Sequence, residues 1–156
     1  MQLRSSVTAL AAPLALLCPS AGHAQSTCQG QPGPTRLDID IEGVRASRGL
    51  ITGSLYPGDR SQFLVKDGAV KVWSVPAVSP TTHMCIWLKW GPGTYAFAVY
   101  HDPDSSGVFH HNLFGRFDGF GFSDNPHLMF AAPKYDQVKF EARGPETTLH
   151  VRLRYP

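Results

Sequence analysis

Cysteine is scarce in this chain of 156 residues, with three in all, and no CxxC, HxH or HExxH spacing occurs. Their absence removes the strong signatures of structural and catalytic zinc. The nucleophile elbow GxSxG is missing too. A hydrolase would have to recruit its parts from Ser105, Ser106, Ser123, His101 and Asp102. Neighbours such as His101 and Asp102 cannot act as a base and its orienter without a contorted backbone. Nor does charge of one sign dominate: 14 Lys and Arg face 12 Asp and Glu, a formal net charge of +2. Nucleic acid and anionic membrane surfaces therefore find no electrostatic partner here. The longest apolar run, Val7 to Leu17, falls short of the roughly 20 residues that span a bilayer. No window carries a sustained helical stripe, which argues against helical bundles and coiled coils.

What is present begins with a leader. Arg4 precedes the apolar run and small residues follow it up to Ala24, the arrangement of a secretory signal peptide over residues 1–24. Cleavage after Ala24 is expected; it leaves 132 residues and a net charge of +1, since Arg4 is the only charged residue lost. Cys18 follows the bulky Leu17, so lipid attachment, which wants a small residue there, is not expected. The mature chain is expected to be secreted or periplasmic and monomeric. Residues 25–36 form an N-terminal extension and residues 37–156 one domain, long enough for a core of its own. Cys28 and Cys85 survive cleavage, and in an oxidising compartment they are expected to pair as a disulfide.

Along the mature chain the apolar period is two. Leu37, Ile39 and Ile41 alternate with Asp38, Asp40 and Glu42, as a half-buried strand requires. "GLITGSLY", "AVKVWSV", "HMCIWLKW" and "TYAFAVY" read as further strands, separated by turns such as Pro57-Gly58 and Gly91-Pro92-Gly93. In the last of these Tyr95, Phe97 and Val99 share one face and Ala96, Ala98 and Tyr100 the other. "QVKFEA" and "TLHVRLRY" are expected to pair around Gly144-Pro145-Glu146, with Leu149, Val151, Leu153 and Tyr155 on one face. Alternation also puts Cys85 and Trp87 on one side, expected to be the core, and leaves Trp90 exposed. About seven short strands punctuated by 15 glycines and 13 prolines predict an all-β fold, a single antiparallel β-sandwich of immunoglobulin-like or transthyretin-like type.

The runs "GTYAFAVYHDPDSSG", "NLFG", "GFGFSDN" and "APKYDQVKF" resemble the core signature of a secreted bacterial family known as domain of unknown function 2141. The resemblance covers about Leu37 to Tyr155. It implies a sandwich like the transthyretin-like and carboxypeptidase-regulatory-like ones, and it brings no activity, substrate or catalytic residue. A purine-pathway hydrolase of transthyretin-like fold has histidine and arginine motifs and a C-terminal tetrapeptide that this chain does not match.

Family members resemble a short calcium loop after the central strand, of the form His-Asp-x-Asn-x-Asn/Asp-Gly-x-x-Asp. Here the corresponding oxygen donors are Asp102, Asp104 and Ser106, followed by Gly107 for the sharp turn. His110 and Leu113 stand where the ninth and twelfth positions would supply carboxylates, so Asp118 or Asp124 would have to fold back to complete a calcium site. Imidazoles accumulate instead: His101, His110 and His111 with Asp102 and Asp104 are ligand types for zinc, copper or nickel. Adjacent His110 and His111 point opposite ways in an extended chain, so one of them would join His101 and Asp102. Against both stands a turn in which Asp102 and Ser106 bond the backbone amides.

The same long loop carries Phe109, Phe114, Phe117, Phe120 and Phe122 among Gly115, Gly119 and Gly121. A self-packed loop capping one open end of the sandwich, with the glycines at positive φ, accounts for them. Rings left exposed would instead form a contact surface. The chain thus reads as an exported, non-catalytic binding or structural module of the cell envelope, facing an envelope protein or a glycan. A calcium or zinc/copper protein using His101, Asp102, Asp104, Ser106 and His110 is the alternative, and a hydrolase the second.

Overall fold

The computed structural model describes residues 28–112, 116–128 and 131–155. The expected leader over 1–24, Ala24, Cys18, the first residues of the extension and Phe114 lie outside the described residues, as do the side chains of His111 and Phe117. Ten strands follow one another: β1 (Arg36–Glu42), β2 (Leu50–Tyr56), β3 (Lys71–Pro76), β4 (Thr81–Trp87), β5 (Gly93–Asp102), β6 (His111–Asn112), β7 (Arg116–Phe117), β8 (Gly119–Phe122), β9 (Lys139–Ala142) and β10 (Glu146–Arg152). Two single 3-10 turns, Arg60–Gln62 and Tyr135–Gln137, are the helical content among the described residues. None is long and apolar enough to cross a membrane.

Eight of the strands form two sheets. One has the order β10-β1-β4; in the other β3, β2 and β5 are neighbours, and β8 and β9 both pair with β5. β6 and β7 form a separate two-stranded ribbon. The alternation in β1 places Leu37, Ile39 and Ile41 inward, where they meet Ile51, Leu55, Trp73, Tyr95, Phe97 and Val99 of the second sheet in one buried cluster. This is the expected sandwich: two layers bury their apolar faces against each other, β10 adds Leu149 and Val151 to that cluster, and Leu153, just past β10, joins them.

The pairing differs from expectation at the C-terminus. β9 and β10 do not form a hairpin: β9 pairs antiparallel with β5, whereas β10 lies parallel to β1 in the other sheet. The Gly144-Pro145-Glu146 segment is therefore a crossing between layers, made where Arg36 N–H donates to the Pro145 carbonyl (2.8 Å). Strand parity also differs in β4, where Thr82, Met84 and Ile86 oppose the inward residues of β1 and Cys85 opposes Asp38. Cys85 and Trp87 thus share the outer face. The apolar string Met84-Cys85-Ile86-Trp87-Leu88 has no polar member to mark its face, so alternation alone could not choose. Trp90 is exposed, as expected.

The Cys28–Cys85 disulfide is present. It fastens the N-terminal segment along the outer edge of β4. There Gln29 N–H donates to the Cys85 carbonyl (3.0 Å), Trp87 N–H to the Gln29 carbonyl (2.9 Å) and Leu88 N–H to the Thr35 carbonyl (2.9 Å). An edge that would otherwise offer unpaired backbone to another chain is covered in this way.

Candidate functional site

β5 is ten residues long and its second edge is shared: β9 pairs with Gly93–Ala96 and β8 with Ala98–His101. Phe97 lies at the handover. Its N–H donates to the Ser123 hydroxyl (2.9 Å), and that hydroxyl, fully buried, also donates to the Val138 carbonyl. Ser123 therefore closes a gap in the ladder instead of serving as an exposed nucleophile.

The segment expected as one long loop contains β8, and β8 explains its Gly/Phe alternation. Gly119 and Gly121 point inward. A Cβ on Gly121 would lie 2.8 Å from the Arg152 carbonyl oxygen and 2.9 Å from Val151 Cγ1, and one on Gly119 would strike the Tyr155 ring. These two glycines supply space for β10, and neither is among the positive-φ glycines. At this point the layers join: Phe120 N–H donates to the Arg154 carbonyl (2.9 Å) and Arg154 N–H to the Phe120 carbonyl (2.8 Å).

Phe120 and Phe122 consequently point outward, beside Tyr100 and Ala98. They do not cap an end of the sandwich; they belong to an aromatic band on the outer face of the five-stranded sheet. Ring centroids run Tyr100–Phe109 (5.5 Å), Phe109–Phe120 (6.0 Å), Phe120–Phe122 (6.1 Å), Phe122–Phe63 (6.4 Å) and Phe63–Tyr56 (5.2 Å), each pair edge to face. Tyr56, Ala96, Tyr135 and Val138 form a second small core beneath one end of the band. Phe109, Phe120 and Phe122 keep part of their surface open, and Val72 and Val108, 55% and 58% accessible, are exposed. Tyr56, Phe63 and Tyr100 escaped the sequence reading of this surface. The pairing of Tyr100 with the small Ala96 and Ala98 on one strand face was the available signal.

The expected metal ligands are distributed differently. Successive residues of β5 face opposite layers, so His101 turns inward and Asp102 outward. His101 is buried, its Nε2 donating to the Arg48 carbonyl (2.8 Å) and its Nδ1 meeting the Tyr155 hydroxyl (2.8 Å). Both ring nitrogens are taken, and His101 does not join Asp102. The Asp102 carboxylate, fully buried, accepts from the Ser106 N–H (3.1 Å) and the Gly107 N–H (2.7 Å). That is the turn-capping arrangement of an Asx turn. Asp104 and Ser106 lie exposed on that turn. His110 instead pairs with Asp118, whose Oδ2 accepts from the His110 N–H (2.8 Å) and lies 3.2 Å from Nδ1.

Asp118 does fold back toward the loop. It precedes Gly119, the partner of His101, and so stands opposite Asp102, one step beyond the last pair of the ladder. Burial pushes the Tyr100 phenol up, a hydrogen bond with Thr52 opposes this, and the Asp102 and Asp118 carboxylates both add to the rise. Asp118 Oδ1 is buried without a hydrogen-bond partner. Among the described residues, the group of three His, Cys, Asp or Glu with ligand atoms all within 4.8 Å of one another is Cys28, Asp38 and Cys85. Its two sulfurs are bonded to each other.

No curated protein and no solved structure matches the chain. A family model described as "Uncharacterized protein conserved in bacteria (DUF2141)" matches residues 39–150, from β1 through most of β10 and including the aromatic band and the Asp102 turn. The chain belongs to this uncharacterized bacterial family.

Proposed function

We propose that this protein is an exported, non-catalytic binding or structural module of the bacterial cell envelope, and that its contact surface is the outer face of the five-stranded sheet. One observation carries the proposal. The outward face of an antiparallel sheet is ordinarily polar, yet here it bears a continuous aromatic band flanked by the exposed Val72 and Val108. Contiguous apolar surface of this kind marks a contact site. Because the rings meet edge to face, they offer ridges and notches instead of a flat stacking platform, which suits apolar side chains of a protein better than a sugar ring. Export is supported by the charged, apolar and small-residue pattern of residues 1–24.

The test is site-specific photo-crosslinking in cells. A crosslinker at Val108 or Val72 is expected to trap one discrete envelope partner, and the same group at exposed Ser79, away from the band, is not. The adduct at Val108 should fade when Phe109 and Phe120 are changed to Ser in a chain shown to remain folded. Equal labelling at all three positions, or none at any, defeats the contact-surface reading. Cell fractionation with and without residues 2–24 tests export separately: unchanged distribution defeats that part.

A further inference from the structure

The three-stranded sheet carries a second group of metal-ligating side chains, unrelated to the long loop. In β1 the outward residues are Arg36, Asp38, Asp40 and Glu42. Register places Asp40 opposite His83 of β4 on one side and opposite His150 of β10 on the other. One rung of the sheet therefore reads His83, Asp40, His150 across three adjacent strands. The Asp40 carboxylate meets both rings: Oδ1 is 2.5 Å from His83 Nδ1 and Oδ2 is 3.4 Å from His150 Nδ1. Glu42 stands one outward position along β1, with Oε1 3.9 Å from His150 Nδ1 and Oε2 3.4 Å from Arg152.

We infer that Asp40, His83 and His150 form a binding site for a divalent transition metal of the zinc type on the outer face of the three-stranded sheet. The ligand chemistry selects the ion. Two imidazoles and a carboxylate suit zinc, copper(II) or nickel, whereas calcium demands six to eight oxygens. The geometry supplies what the loop lacks, because all three residues stand on paired strands whose register fixes their order. Access is open: the imidazoles are 69% and 63% exposed and the carboxylate between them 29%. The three donor atoms are not yet gathered within 4.8 Å of one another. Exposed imidazoles turn freely about two side-chain torsions, and a shared ion replaces their separate contacts with Asp40. Water completes the coordination. Glu42 adds a second negative charge beside the ion, and Arg152 holds it to one side.

The experiment uses the tag-free chain, stripped with a chelator and then titrated with zinc by calorimetry. One equivalent is expected to bind. His83→Ala and His150→Ala should each weaken it roughly tenfold or more, while His127→Ala, at another exposed histidine, should leave it unchanged. Copper(II) bound at the same site should show coupling to two nitrogens in its paramagnetic resonance spectrum, reduced to one in either single variant. Circular dichroism on each variant confirms that the sheet persists, and both substitutions are at exposed positions. Absence of zinc binding to the folded wild-type chain overturns the inference, as does binding that survives in the His83→Ala/His150→Ala double variant.

Discussion

Breaking the Cys28–Cys85 bond tests how the first layer is held. The bond joins positions 57 residues apart, and closing a loop of that length removes enough denatured-state entropy to stabilise the fold by about 4 kcal/mol. The bond also holds Gln29 in register with Cys85 and Trp87 through two backbone hydrogen bonds of 3.0 and 2.9 Å. If these fray once the tether is cut, each adds about 0.5–1.5 kcal/mol to the loss. Cys28→Ser and Cys85→Ala should therefore each cost about 4 kcal/mol if those bonds persist and up to about 7 kcal/mol if both fray, in urea unfolding followed by tryptophan fluorescence. For a domain of this size that corresponds to a fall in Tm of roughly 10–30 °C. The double variant should lose no more than the worse single one, because both remove the same bond. Losses below about 1 kcal/mol, or single losses that add in the double variant, would refute this account of the edge and its tether.

Three further outcomes follow from the sheet junction and the aromatic groups. Gly121→Ala should destabilise the chain by about 1–3 kcal/mol, the usual cost of overpacking, because its methyl group would meet the Arg152 carbonyl at 2.8 Å; an unchanged urea midpoint would show that β8 and β10 do not approach closely. Ser123→Ala orphans the buried Phe97 N–H and should cost about 1–3 kcal/mol, again read from urea unfolding, with Ser123→Thr or a solvent-exposed Ser105→Ala as comparison; equal stability of Ser123→Ala and wild type would remove Ser123 from the ladder. All five tyrosines have their phenols raised, burial being the leading cause at Tyr56, Tyr95, Tyr100, Tyr135 and Tyr155. A raised folded value means that this stabilisation is complete below the unfolded value of about 10 and is lost as pH climbs through the folded one. Phenolate absorbance should therefore stay flat through the ordinary tyrosine range while the chain is folded, and urea stability should decline above it; a tyrosine ionising at its free value in the folded chain contradicts the burial.

Strand alternation made the layers legible, because Leu37, Ile39, Ile41, Phe97, Val99 and Val151 each had polar or small neighbours to define a face. It failed where that contrast was missing. Met84 through Leu88 is apolar at every position, yet Met84 and Ile86 enter the core and Cys85 looks outward, where it meets Cys28. Pairing partners were less legible still. A hairpin between β9 and β10 was the local solution, yet the parallel β1–β10 register buries Leu149 and Val151 against Ile39 and Ile41, a contact between chain ends that no short window contains. The Gly/Phe alternation of β8 was visible as composition, but its cause is a distance between layers. The rung formed by His83, Asp40 and His150 was invisible for the same reason: the two histidines stand 43 and 110 residues from Asp40 along the chain and meet it solely through register.

Asn125 has a consequence for how copies of this protein meet. Its side-chain amide donates to the His150 carbonyl (2.7 Å) and accepts from the Arg152 N–H (2.7 Å). These two groups flank Val151 on the free side of β10, and a neighbouring molecule would need them to continue the layer. The amide counterfeits one residue of a missing strand, so a second molecule approaching edge-on finds that rung already closed. The following residue is Pro126, which has no N–H to attack the amide, so the slow conversion of asparagine to aspartate through a cyclic imide is blocked there. A plug of this kind ages well, and it keeps stacking by backbone extension from becoming a default fate in a crowded compartment.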